Sequence, residues 1–346
     1  MPSPGEVEYR EYDLPAAPAG GLLLETLVAG VCGSEIHIFE GRHPVLKSVS
    51  LGHEIVGRVA QLGAGVEADS AGASLGVGDS VSVTYFRACR SCPACGRGEF
   101  ALCTHALDGW LSDPEDEPHF FGTMSSHYVV DPRQWVFKLP DNVPPAVAAS
   151  ANCALAQVMN GLERLGLKPG ETLLVQGCGG LGLYSVALAK ERGVRVIAVD
   201  AVAARLDRAV EFGADQTIDI GAFASPAARI AAVRELTAGE GVDAAIDVTG
   251  APVAFAEGIE MLRAGGRLAE VGLVLTGAEA TFDLGGMARR GITVVSAVRY
   301  EPRHLRESLE FLSRNVDRLP LHLMIDGHYD LDHVEEAIAD SAGRKV

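Results

Sequence analysis

The chain has 346 residues, 46 of them acidic against 29 Lys plus Arg, for a net charge of −17. Such an acidic balance lacks the positive footprint that phosphate contacts need, which excludes nucleic acid as a partner. At 48% hydrophobic residues it reads as a globular protein of about two domains, able to bury a core without covalent staples.

Met1–Tyr12 is polar and turn-rich, so no export signal is expected. The longest uncharged run, Asn142–Leu162, contains Pro144, Pro145, Asn152 and Gln157 and is rich in alanine, a poor membrane helix. Seven cysteines, an odd number, point to a reducing compartment and a cytoplasmic location. In that setting thiols serve metals or catalysis rather than disulfides.

Residues 1 to about 150 are rich in Val, Gly and short alternating runs. Glu54–Ala60 and Asp79–Tyr85 are examples that predict strands of an irregular β domain. From residue 154 the rhythm changes. Strands are predicted at Glu171–Gln176, Val194–Val199, Val242–Val248, Arg267–Val271 and Ile292–Ser296, with helices at Leu181–Arg192 and Ala203–Phe212. Strands alternating with helices indicate βαβ units and a doubly wound parallel sheet. Two further helices are expected at His304–Asn315 and Leu331–Ala342.

Cys89, Cys92, Cys95 and Cys103 form C-x2-C-x2-C-x7-C, with Pro93, Gly96 and Gly98 allowing tight turns. Four thiolates can close a tetrahedral shell around Zn2+, which leaves no position for substrate and makes a structural site. An iron–sulfur run would need a shorter last gap and a proline after the fourth cysteine, where Thr104 stands.

Gly177-Cys178-Gly179-Gly180-Leu181-Gly182 matches G-x-G-x-x-G between a predicted strand and a predicted helix. Glycines there permit a tight turn and close approach to a pyrophosphate at the helix N-terminus. Asp200 ends the next strand, where a carboxylate can accept hydrogen bonds from ribose hydroxyls. Ala201 and Val202 behind it supply no cation for a 2′-phosphate, which favours NAD over NADP. Further cofactor contacts are expected from Arg205, Thr249, Val271 and Gly272, and Cys178 is expected to be a packed thiol.

Two thiols remain, in Gly30-Val-Cys-Gly-Ser-Glu-Ile-His37 and Asn152-Cys153-Ala154, with Gly52-His53-Glu54 between them. These segments, the four-cysteine lobe and the glycine-rich loop, in this order, resemble the zinc-dependent alcohol dehydrogenases of the medium-chain dehydrogenase/reductase superfamily. The resemblance covers nearly the whole chain. It implies a GroES-like β catalytic domain over 1–153 and 298–346, with the structural zinc lobe at 87–104, and a Rossmann NAD-binding domain over 154–297. It further implies a small-molecule alcohol or carbonyl substrate, about two Zn2+ per chain, and a homodimer or homotetramer.

Carried over by position, the resemblance makes Cys32, His53 and Cys153 ligands of a catalytic zinc. A Cys2His set with an open fourth position is the known ligand set of alcohol dehydrogenase, and it comes with the resemblance, since spacing alone does not bring these three residues together. Glu54 is implied beside them, orienting the site and in some relatives ligating zinc transiently; Glu35, where aspartate is more usual, is implied in a similar supporting role. Ser34 and His37 are implied as a proton relay, and Tyr85 as a pocket-lining residue.

The reaction implied is hydride transfer between a secondary or functionalised alcohol and NAD, giving the ketone or aldehyde. A polyol, amino-alcohol or sugar dehydrogenase of the same superfamily is the alternative, and a catalytically idle zinc- and nucleotide-binding protein the remote one. Gln157 stands where relatives often carry threonine. The stretch Asp108–His119 has no clear counterpart and reads as a solvated loop, with a lid over the substrate as the other reading.

Overall fold

The computed structural model describes residues 1–43, 46–272 and 277–343. They form two compact units, Met1–Ala156 with the segment from Arg299 onward, and Gln157–Val298. None of the described helices is long and apolar enough to cross a membrane.

The first unit is built on five strands: β1 (Leu22–Ala29), β2 (Ile55–Leu62), β3 (Ser80–Val83), β4 (His127–Val130) and β5 (Val136–Lys138). They pair antiparallel in the order β4-β1-β2-β3-β5. Side chains two apart share a face, and Leu22 with Leu24, Val81 with Val83 and Tyr128 with Val130 accordingly meet in one core. This is the GroES-like arrangement.

The β2–β3 pairing stops at Val56 opposite Ser82. Chain preceding Ile55 and following Val83 therefore leaves the ladder, and these segments carry His53, Glu54 and Tyr85. The short helix Gly33–Phe39 follows β1. It packs against the helix Val334–Gly343 through Ile38, Val334 and Ile338, which returns the chain's last part to this unit.

The second unit holds six parallel strands: β6 (Thr172–Gln176), β7 (Arg195–Asp200), β8 (Gln216–Asp219), β9 (Val242–Asp247), β10 (Leu262–Glu270) and β11 (Thr293–Ser296). Their order is β11-β10-β9-β6-β7-β8. This is the doubly wound order whose direction reverses between the first and fourth strands. Central strands covered on both faces read as unbroken apolar runs, and Leu173, Leu174 and Val175 are all fully buried.

Several predicted boundaries move; the helix expected over Leu331–Ala342 runs Val334–Gly343, after a 3-10 turn at Leu331–His333. β10 begins at Leu262, not Arg267, because Gly265 and Gly266 lie inside the strand, where the register jumps between Leu262 and Arg267. The helix expected from His304 begins at Pro302, which occupies the first turn where its missing N–H is harmless, with Glu301 capping.

Candidate active site

Two clusters of metal-ligating side chains occur among the described residues, both within the first unit: Cys32, His53, Glu54 and Cys153, and Cys89, Cys92, Cys95 and Cys103.

In the first cluster, Cys32 caps the helix Gly33–Phe39, and its N–H donates to Glu35 Oε2 at 3.0 Å. The other Glu35 oxygen meets His53 Nδ1 at 2.5 Å, and His53 Nε2 lies 3.2 Å from Cys153 Sγ. Glu35 thus fixes the imidazole, the usual part of a carboxylate behind a metal-binding histidine. Cys32 Sγ and Cys153 Sγ are 3.9 Å apart and both thiols are free. Two sulfurs on a tetrahedral zinc, each at about 2.3 Å from the metal, stand about 3.8 Å apart. The donors are spaced for that ion.

Glu54 completes the cluster with a carboxylate oxygen and is 5% exposed. A Cβ on Gly30 would stand 2.0 Å from Glu54 Oε2, so glycine is required there to admit the carboxylate. Burial, helped by the neighbouring Cys32 charge, raises the Glu54 pKa well above the carboxylate range. Contact with Cys153 draws the Cys32 thiol well below its usual range, and the same contact together with burial lifts Cys153. Burial opposes a charge on His53, but Glu35 and Cys32 outweigh it and raise its pKa. Packed without a cation, these anionic donors must share protons; a bound dication would take the protons' place.

Ser34 lies within hydrogen-bond reach of the Cys32 sulfur. His37 is one turn further along the same helix, and its Nδ1 is buried without a hydrogen-bond partner among the described residues. Burial, and then Arg42, lower its pKa, so the imidazole is neutral at neutral pH.

Two rings stand beside His53, Tyr85 as the resemblance implied and Trp110, and a third, Tyr300, packs behind Tyr85. Trp110 has its centroid 5.0 Å from the imidazole and Tyr85 is at 5.2 Å; Tyr300 packs on Tyr85 at 5.7 Å. Trp110 comes from the Asp108–His119 stretch, so that segment is more than a solvated loop. Farther along it, Glu115 pairs with Arg10, and His119 stacks on Tyr12 at 3.8 Å. A tryptophan inside an otherwise acidic stretch was the available signal for Trp110; nothing local pointed to Tyr300.

In the second cluster, Cys89 Sγ to Cys95 Sγ and Cys92 Sγ to Cys103 Sγ are each 4.0 Å, again the spacing of thiolates around one zinc. Arg90, with φ 59°, and Gly98, with φ 80°, turn the chain back on itself between ligands. Backbone N–H groups, that of Cys95 first, draw the Cys92 thiol down to about 5, and hydrogen bonds from Ser91 bring Cys89 to about 7. Burial pushes Cys95 up to about 12. Zinc uptake here must displace the Cys95 proton, so affinity falls as pH falls. The lobe is tied down by Glu301, which accepts from the N–H groups of Phe100 at 3.0 Å and Ala101 at 3.2 Å.

The glycine-rich loop lies in the second unit, between β6 and the helix Gly180–Glu191. Gly177 has φ 93°, and a Cβ on Gly182 would stand 1.9 Å from the Gly177 carbonyl oxygen, so both positions need glycine. A Cβ on Gly179 would meet nothing within 4 Å among the described residues. No atom of the described residues explains that glycine; the open space is what an approaching pyrophosphate needs. Leu181 lies in the first turn of the helix, beside Gly180.

Asp200 ends β7 and is 8% exposed. One oxygen accepts from Cys178 N at 2.6 Å and the other from Val202 N at 2.9 Å, with Arg205 4.0 Å away. Each oxygen keeps a lone pair for a ribose hydroxyl. Thr249 follows β9, and Val271 and Gly272 follow β10. The backbone N–H groups of Val271 and Gly272 both donate to the Asp247 carbonyl at 3.0 Å. Gln157 Nε2 donates to the Val271 carbonyl at 3.4 Å. Cys178 is packed at 1% exposure, its thiol raised to about 12 by burial.

Residues 18–141 match the model of an alcohol dehydrogenase GroES-like domain, and residues 180–314 that of a zinc-binding dehydrogenase. The chain is 30% identical to a 5-exo-hydroxycamphor dehydrogenase of Pseudomonas putida, over 98% of this chain and 93% of that one. It is also 30% identical to an alcohol dehydrogenase of Geobacillus stearothermophilus, over 89% of this chain and 85% of the other. Among solved structures, an alcohol dehydrogenase from Thermotoga maritima superimposes with a TM-score of 0.91 at 30% identity, covering 98% and 93% of the two chains.

Proposed function

Because the chain belongs to the zinc-dependent alcohol dehydrogenases of the medium-chain dehydrogenase/reductase superfamily, we propose that it oxidises a secondary or functionalised alcohol and delivers the hydride to NAD+. The observation that carries this reading is the Cys32–His53–Cys153 cluster, spaced for one zinc and made of three strong donors. Zinc bound there would act as a Lewis acid on the alcohol oxygen and ease loss of hydride from the adjacent carbon.

The chain's own residues do the rest. Cys32, His53 Nε2 and Cys153 hold the metal, and Glu35 keeps the imidazole in the required tautomer. Glu54 sits close enough to tune the site's charge. Ser34 takes the alcohol's proton as it releases its own hydroxyl proton, and His37, neutral at neutral pH, takes up the released proton and passes it towards water. In the second unit, Gly177–Gly182 receives the pyrophosphate at a helix N-terminus, Asp200 the adenosine ribose, and Thr249, Val271 and Gly272 the nicotinamide half.

Tyr85 and Trp110 present mostly hydrocarbon beside His53, with the fully buried Tyr300 packed behind Tyr85. Such a wall favours an alcohol with an apolar body over a polyol. Metal analysis tests the reading: about two zinc per chain is expected, and no zinc contradicts it. A panel of primary, secondary, cyclic and polyhydroxy alcohols, followed by NADH absorbance, then ranks substrates.

Cofactor choice rests on Asp200. Its carboxylate would stand against a 2′-phosphate, and two unit charges about 4 Å apart at a protein surface repel by about 4 kcal/mol. Arg205 offsets part of that. We expect kcat/KM to favour NAD+ over NADP+ by at least about tenfold; a preference for NADP+ contradicts the assignment.

A further inference from the structure

Asn152 precedes the ligand Cys153 inside a five-residue π-helical turn, Ala151–Leu155, and is completely buried. Turns of this kind are rare and gather at functional sites. The side-chain amide spends both protons on main-chain carbonyls of two other segments: Nδ2 donates to His53 O at 3.0 Å and to Val83 O at 2.9 Å. Asn152's own backbone carbonyl accepts the hydroxyl hydrogen of buried Tyr300. Oδ1 has no hydrogen-bond partner among the described residues. The amide orientation follows from this, since the flipped group would set its oxygen against two carbonyl oxygens.

The two accepting carbonyls lie where the β2–β3 ladder has ended, beyond the pair Val56 and Ser82. Asn152 thus acts as a substitute rung at the frayed end of the sheet. One end of that rung is the ligand His53, the other leads by way of Thr84 to Tyr85, and the backbone that supplies the rung carries Cys153. The Tyr300 hydroxyl ties the aromatic wall into the same node.

We propose that Asn152 is a positioning residue for the metal site, holding His53 at a fixed separation from Cys153 and coupling that separation to the Tyr85–Tyr300 wall. The role needs two donors in a short fork. Serine offers one, an ionised aspartate offers none, and glutamine is one methylene too long for the same reach. The proposal rests on zinc being bound by Cys32, His53 and Cys153.

The test is zinc release from the fully loaded chain into a colorimetric chelator, for the natural protein, Asn152→Ala, Asn152→Asp and Tyr300→Phe, with the four-cysteine zinc as internal reference. Loss of a residue that orients a metal ligand typically weakens binding by about 10- to 100-fold. One zinc should leave that much faster from the Asn152 variants while the other leaves at the natural rate. Cobalt placed in the faster-releasing site should show displaced absorption bands. Tyr300→Phe removes a single hydroxyl and should fold normally even if the Asn152 variants do not; it should hasten the same zinc several-fold. Unchanged release in all variants, or equal acceleration of both zincs, overturns the proposal, the latter marking general loosening. A natural chain that loads only the four-cysteine site would sink the functional reading and this proposal together; two zincs in the natural chain with unaltered release would sink only this one.

Discussion

Cys32→Ser is expected to reduce kcat/KM by about a thousandfold or more while leaving the thermal midpoint of the zinc-loaded protein close to that of the natural chain. A metal that polarises a substrate oxygen supplies several kcal/mol of transition-state stabilisation, and about 4 kcal/mol is a factor of a thousand. Serine is a poor replacement ligand, because its hydroxyl stays protonated where the Cys32 thiol is drawn well below its usual range by Cys153 and His53. It is a good structural replacement for a separate reason. Cys32 is the N-cap of the helix Gly33–Phe39, and serine is among the preferred N-cap residues. The Glu35 carboxylate also accepts from the Cys32 backbone N–H, which the substitution retains. Steady-state kinetics with thermal unfolding on one preparation separates the two effects; wild-type turnover would mean that the metal site is misassigned.

Cys95→Ser is expected to do the reverse, with its main effect on stability and the loss of one zinc per chain. Cys95 is 8% exposed, and its sulfur lies 4.0 Å from that of Cys89. The lobe contributes little apolar core of its own, so the ion is its main organiser, as in other small structural zinc sites. Loss of about 3 kcal/mol in a unit of this size corresponds to a fall in Tm of about 6–12 °C. The hydrogen bonds from Phe100 and Ala101 to Glu301 link the lobe to the cap of the helix Pro302–Asn315, so the damage should extend beyond the lobe. Differential scanning fluorimetry with zinc analysis reads both quantities. An unchanged Tm at a full zinc complement would contradict the structural role.

What could be read from sequence was what sequence places close together. The glycine-rich loop, the strand-end Asp200 and the four cysteines are local patterns whose spacing carries the chemistry. The parallel sheet was legible because strands alternate with helices at a regular interval. The open-site cluster was not legible by spacing. Cys32 and Cys153 are 121 positions apart, and only the resemblance set them side by side. Asn152 belongs to a legible motif, but its work depends on two carbonyls, at His53 and Val83, that become free only where the β2–β3 pairing ends. Trp110 and Tyr300 illustrate the same limit, since they approach His53 and Tyr85 from segments with no motif of their own. Boundaries moved for local reasons: glycines masked the start of β10, and Pro302 extended a helix by one half-turn.

The central claim is that a zinc ion held by Cys32, His53 and Cys153 makes this chain an NAD-dependent alcohol dehydrogenase. The most direct measurement is NADH absorbance from NAD+ and the best alcohol of the panel, before chelation of the open-site zinc, after it, and after zinc is returned. NADH formation that stops on chelation and resumes with zinc is the predicted result. NADH formation that persists after that zinc has been removed, or no NADH from any alcohol tried at a full zinc complement, would contradict it.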